Sequence, residues 1–87
     1  MAFESFTDKV VVITGAGSGM GRATSKIFVR EGARVLGVDI TGREKETAEE
    51  LGDAFVPFSA DVRQESDVEG IFAKAVEVFG RVDAAPV

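Results

Sequence analysis

Lys9-Val10-Val11-Val12-Ile13-Thr14-Gly15-Ala16-Gly17-Ser18-Gly19-Met20-Gly21 is the stretch whose reading decides how this chain folds. Residues 9–14 read as a strand whose centre, Val10–Ile13, is an unbroken β-branched, apolar run, the pattern of burial on both faces. Gly15 ends the strand and opens a turn in which every second residue is glycine. Residues 19–30 then read as a helix, with Ala23 and Ile27 on one face and Gly32 as its stop. A buried strand that enters a glycine turn and leaves as a helix presents free N–H groups at a helix start, where they favour negative charge. Such a turn is suited to hold a pyrophosphate.

The spacing of the glycines discriminates between phosphate-binding turns. The P-loop, G-x-x-x-x-G-K-[ST], needs glycine at Met20 if it starts from Gly15 and at Arg22 if it starts from Gly17, so it fails. G-x-G-x-x-G also fails, because it requires glycine at Met20 or at Thr24. T-G-x-x-x-G-x-G fits, as Thr14, Gly15, Gly19 and Gly21.

Outward from the turn, strands and helices alternate. Residues 34–39 read as a second strand. Thr41 is expected to cap a polar helix running to about Leu51, with Glu44 completing a capping box. Only Ala48 and Leu51 offer that helix to a core, so it is expected to be exposed and loosely held. Residues 54–60 read as the third strand, and Pro57 inside it predicts a sheet edge, since proline cannot donate to a ladder. Ser66 with Glu69 suggests a second capping box, opening a helix in which Val68, Ile71, Phe72, Ala75, Val76 and Phe79 recur at helical spacing before Gly80 ends it. Residues 82–87 begin what reads as a partial fourth strand, spoiled at its end by Pro86. The fold class implied is α/β: a Rossmann-like, doubly wound parallel sheet with right-handed crossovers, truncated to three strands, three helices and that partial fourth strand. Its strand order would be 3-2-1 and then 4, which puts the proline-bearing strand outermost. Residues 1–87 are read as one partial nucleotide-binding domain.

Composition narrows the chemistry. At 87 residues the chain is a small domain, which buries only roughly 60% of the surface of its unfolded form. A net charge of −5 and a pI near 4.6 argue against nucleic acid or an acidic membrane as partner. The absence of cysteine and histidine argues against disulfides and most transition-metal sites. No signal-peptide pattern opens the chain and no apolar run is long enough to span a bilayer, so a cytoplasmic protein is expected.

Asp39 sharpens the reading of the turn. It closes the second strand, 18 residues after Gly21, close to where a dinucleotide site places an acidic residue. A carboxylate there accepts hydrogen bonds from adenosine ribose hydroxyls and repels a 2′-phosphate. Ser18, Ile40 and Thr41 carry no positive charge, which favours NAD over NADP. Arg22 and Arg43 are the local cations; Arg22 is expected on the outer face of the first helix, whereas Arg43 could fold back towards the site.

Taken together, residues 8–23, Asp61-Val62 after the third strand, and Phe79-Gly80-Arg81-Val82-Asp83 after the last helix resemble the opening of the short-chain dehydrogenase/reductase family in order and spacing. The resemblance covers residues 6–83. It implies that Gly15, Ser18, Gly19 and Met20 line the pyrophosphate and ribose, and that Asp39 holds the ribose hydroxyls with Ile40 beside the adenine. By the same resemblance, Asp61 meets the adenine amino group and Val62 donates a backbone N–H to the ring. Thr14 and Gly21 would be structural.

Members of that family continue with Asn-Asn-Ala-Gly, a catalytic Ser and Tyr-x-x-x-Lys, where the Tyr serves as general acid/base. In this chain Asp83 is followed by Ala84-Ala85-Pro86-Val87, and there is no Tyr or Asn anywhere. No residue is therefore assigned a catalytic role, and the expectation is an NAD(H)-binding portion of an oxidoreductase that does not turn over alone. The alternative is a non-catalytic dinucleotide-binding or interaction module, or a shortened product without a role of its own. The missing fourth strand also predicts self-association through the apolar edge of the first strand, unless residues 82–87 cover that edge.

Overall fold

The computed structural model describes residues 6–85. The apolar run forms β1 (Val10–Thr14), which passes through the glycine turn into α1 (Gly19–Arg30). There follow β2 (Arg34–Asp39), α2 (Glu44–Leu51), a short 3-10 turn at Gly52–Ala54, β3 (Phe55–Ser59) and α3 (Glu65–Phe79). The strands form one parallel sheet in the order β1-β2-β3, with Val11 beside Val35 and Val35 beside Phe55. Pro57 thus lies on an edge strand, as its missing N–H requires.

The sheet is covered on both faces. Val11, Ile13, Val35 and Phe55 point to one side, where Phe28 and Val29 of α1 and Ala48 and Leu51 of α2 close over them. Val12, Leu36 and Val38 point to the other, against Ile71, Ala75 and Phe79 of α3. Alternate residues of one strand feed opposite cores because side chains alternate across a strand. This explains why β1 and β2 carry no polar residue between their ends.

Several local expectations change. α1 buries Gly21 and Ser25, while Ala23 and Ile27 face outwards. Small residues let the helix lie close to the sheet, and the Ser25 hydroxyl is satisfied by donating to the Gly21 carbonyl at 2.8 Å. Neither capping box forms. α2 has Arg43 at its N-cap and α3 has Gln64, neither with a side-chain cap; Thr41 Oγ1 instead accepts from the Arg43 N–H at 3.2 Å. Nor is α2 wholly exposed. Thr47 is fully buried and its hydroxyl donates to the Ala16 carbonyl at 2.9 Å, while Glu44 is fully buried with both carboxylate oxygens lacking a hydrogen-bond partner among the described residues, which opposes the attachment. Arg22 does not lie on an outer face, since its Nε donates to Thr47 Oγ1 at 3.0 Å and ties α1 to α2.

Among the described residues, the outer edge of β1 is partly covered by residues 83–84. The Val12 N–H donates to the Ala84 carbonyl at 2.9 Å and the Asp83 N–H to the Val10 carbonyl at 2.9 Å, a parallel bridge that starts a fourth strand. Asp83 Oδ2 also accepts the Val10 N–H at 2.8 Å while Arg81 grips the same carboxylate. Pro86 and Val87, the rest of the expected strand, lie outside the described residues.

Candidate functional site

All three strands end on one side of the molecule, and a cleft of about 370 Å³ opens there. It is lined by Thr14 and Gly15 from β1 and its turn, by Val38, Asp39 and Ile40 from the end of β2, and by Ala60, Asp61, Val62 and Arg63 after β3. A cleft outside the carboxyl ends of parallel strands is where open α/β sheets take ligands.

The turn is shaped for close backbone approach. Gly15 adopts φ +67°, and a Cβ on Gly21 would stand 1.9 Å from the Gly15 carbonyl oxygen, so the turn folds back on the first helical turn only with glycine there. Ser18 is the N-cap of α1; its hydroxyl donates to the Gly15 carbonyl at 2.7 Å and accepts from the Gly21 N–H at 3.4 Å. Gly19 is different. A Cβ there would meet nothing within 4 Å, so no group of the chain itself requires glycine at this position. Its bare backbone leaves open space at the start of α1, where first-turn N–H groups lack intrahelical acceptors. Met20 beside it is 84% exposed.

Asp39 joins the turn to the end of β2. Its Oδ2 accepts the Gly17 N–H at 2.7 Å, and its Oδ1 accepts the N–H groups of Ile40 at 2.7 Å and Thr41 at 3.1 Å. Burial is the largest single influence and raises the carboxyl pKa, but the hydrogen bonds from Thr41, Gly17 and Ile40 together outweigh it and hold Asp39 below its ordinary value. Oδ1 thus accepts two backbone N–H groups and Oδ2 one, and the Thr41 hydroxyl also hydrogen-bonds to the carboxylate. Gly17 is glycine for the same reason, since a Cβ would lie 2.7 Å from Asp39 Oδ2 and 2.7 Å from the Arg43 Cβ. The stem of Arg43 therefore rests beside the turn.

Across the cleft, Asp61 is fixed by its own loop. Its N–H donates to Asp67 Oδ2 at 2.8 Å, and the guanidinium of Arg63 grips its carboxylate. That grip, with the Arg63 N–H, holds the Asp61 carboxyl below its ordinary value. Ile40 and Val62 flank the cleft with exposed apolar surface. Of the sequence-derived site residues, Gly15, Asp39, Ile40, Asp61 and Val62 line this cleft together, and Ser18, Gly19 and Met20 sit at the adjoining helix start. Arg63 and Thr47 were not singled out from the sequence. Arg63 carries a faint signal as the cation two residues after Asp61; Thr47 carries none.

No helix among the described residues is long and apolar enough to cross a membrane. The family model for short chain dehydrogenases matches residues 9–85. Levodione reductase of Leifsonia aquatica is 43% identical over 84 residues, covering 90% of this chain and 32% of that protein. The 3-hydroxyacyl-CoA dehydrogenase type-2 of Drosophila melanogaster is 40% identical over 75 residues, covering 85% of this chain and 29% of its own length. Among solved structures, a 3-ketoacyl-(acyl-carrier-protein) reductase from Brucella melitensis complexed with NADH superposes with a TM-score of 0.90 at 40% identity, over 93% of this chain and 34% of that one. A short chain dehydrogenase/reductase from Burkholderia phymatum in complex with NAD gives 0.89 at 32% identity, over 95% and 31%. The chain thus spans roughly a third of the length of the relatives it matches.

Proposed function

The chain belongs to the short chain dehydrogenase family, and from that premise we propose that it is the NAD(H)-binding portion of an oxidoreductase. The observation that carries this reading is Gly19. It is a glycine for which the chain's own packing gives no reason, at a helix start that opens beside a cleft flanked by two carboxylates. A phosphate group approaching the helix start would use that space.

In this reading Gly15, Ser18, Gly19 and Met20 hold the pyrophosphate and the adjoining ribose. Asp39 accepts from the adenosine ribose, and Ile40 lies against the adenine. Asp61 accepts from the adenine amino group, and the Val62 N–H donates to the ring. Thr14 and Gly21 keep the turn in shape. When bound, NAD would supply a hydride acceptor at its nicotinamide ring. The acid/base Tyr for such a transfer is not among the residues of this chain, so residues 1–87 bind cofactor without turning substrate over. Activity would need a segment carrying Tyr-x-x-x-Lys.

NAD is preferred over NADP in the same reading. A 2′-phosphate would stand against the ionised Asp39, with uncharged Ser18, Ile40 and Thr41 around it and Arg43, whose stem rests beside the turn, as the nearby cation that opposes this preference. Calorimetric titration with both cofactors tests this. Saturable binding of NAD⁺, tighter than NADP⁺ by about tenfold or more as like-charge juxtaposition demands, is expected. Equal affinities would remove the role given to Asp39, and no binding of either would remove the reading.

A further inference from the structure

We propose that Arg63 is a positioning residue that sets the adenine specificity of the cleft by fixing which oxygen of Asp61 stays open. This rests on the cleft being the dinucleotide site. The guanidinium lies fork-on to the carboxylate: Nε donates to Oδ1 at 3.0 Å and Nη2 to Oδ2 at 3.0 Å. The Arg63 backbone N–H also donates to Oδ1, at 2.9 Å. A carboxylate oxygen offers about two acceptor positions, so Oδ1 is filled by the chain and Oδ2 retains one. A planar fork of two parallel hydrogen bonds fixes the plane of the carboxylate as well as its distance, which a point charge does not. The backbone beneath is fixed independently, by the Asp61 N–H to Asp67 at 2.8 Å and by the Gln64 N–H to the Asp61 carbonyl at 2.9 Å.

The pair is not a packing device. The Arg63 side chain is 80% exposed, and exposed ion pairs add little to stability. Its consequence lies in the cleft, which both residues line. With Oδ2 held and hungry for a donor, the six-position amino group of adenine is accepted and a six-position carbonyl, as in hypoxanthine, is refused. Released from the fork, the carboxylate turns and hydrates, and the two bases become harder to tell apart.

The test compares NAD⁺ with nicotinamide hypoxanthine dinucleotide by calorimetry on the whole chain and its Arg63→Ala, Arg63→Lys and Asp61→Asn variants, with thermal unfolding as a control. The unsubstituted chain is expected to prefer NAD⁺ by about tenfold, the worth of one charge-assisted hydrogen bond. Both Arg63 variants are expected to cut that preference to about twofold or threefold without changing Tm, because lysine keeps the charge and loses the fork. Asp61→Asn should erase it. Full preference in Arg63→Ala overturns the proposal, and so does full preference in Arg63→Lys, which would make charge sufficient. If the unsubstituted chain binds both dinucleotides equally, the proposal falls and the cleft stands as a dinucleotide site. If it binds neither, the cleft reading falls and takes the proposal with it.

Discussion

Two glycines in one turn separate structure from binding. A Cβ on Gly21 would overlap the Gly15 carbonyl, whereas one on Gly19 would meet nothing. Gly21→Ala is therefore expected to cost about 3 kcal/mol of stability, at the upper end of ordinary single substitutions, as read from urea denaturation. Gly19→Ala should be neutral or stabilising by up to about 1 kcal/mol, yet weaken NAD⁺ binding by crowding the helix start. Loss of binding in the first alone would reverse these roles. Both glycines were legible in the sequence as one motif, because spacing records where the backbone must come close. Spacing did not record what it comes close to.

At the scale of an element, α2 shows how a polar helix is anchored. Its sequence offers Ala48 and Leu51, and these do reach the core, but the firm attachment is Thr47. The buried hydroxyl donates to the Ala16 carbonyl at 2.9 Å and accepts from Arg22 Nε at 3.0 Å. Thr47→Val preserves the shape and strands both partners, so a loss of about 1–3 kcal/mol is expected. Hydrogen exchange in α2 would localise it, and unchanged protection there would contradict the assignment. The starts of α2 and α3 differ from the expected caps for a related reason. Thr41 and Ser66 have the residue type of caps, but a hydroxyl caps only if the chain enters the helix at that residue. At Thr41 the loop leaves the hydroxyl accepting from the Arg43 N–H instead, and α3 already starts at Glu65. Helix bodies and the start of α1 were legible, whereas the starts of α2 and α3 were not.

At the scale of the whole molecule, the edge of β1 and the behaviour in acid are linked through Asp83. Gly80 ends α3 in the left-handed conformation at φ +86°, and Asp83 then lies against β1. The Arg81 side chain first, and the Val10 N–H second, hold the Asp83 carboxyl below its ordinary 3.8. Asp39 and Asp61 are lowered as well. Unfolded, these groups return to ordinary values, so the unfolded chain binds more protons as the medium is acidified. Stability from them is fully present above about pH 5 and is lost as pH falls through the lowered folded values. Urea midpoints should thus fall between about pH 5 and pH 3, and a flat profile would deny the linkage. Asp83→Ala is expected to release residues 82–85 from β1. Val10 and Val12 amides would then exchange faster, and the freed apolar edge would promote self-association, visible by sedimentation velocity. A variant that stays as monomeric as the parent, with fast-exchanging amides, would show that this edge is not adhesive.

The sequence by itself determined the alternation of strands and helices, the strand order with Pro57 at an edge, and the placing of Asp39 and Asp61 at strand ends. Each of these follows from local rules: β-branched runs buried on both faces, glycine spacing, and a proline that cannot donate. Only the tertiary structure decided that α1 buries Gly21 and Ser25 rather than Ala23 and Ile27, that Thr47 anchors α2, that Arg22 turns inward and that Arg63 grips Asp61. These are contacts between side chains brought together by packing or by the path of a loop. Periodicity says which residues share a face, whereas the close approach of helix to sheet decides which face is buried and which polar groups must find partners there.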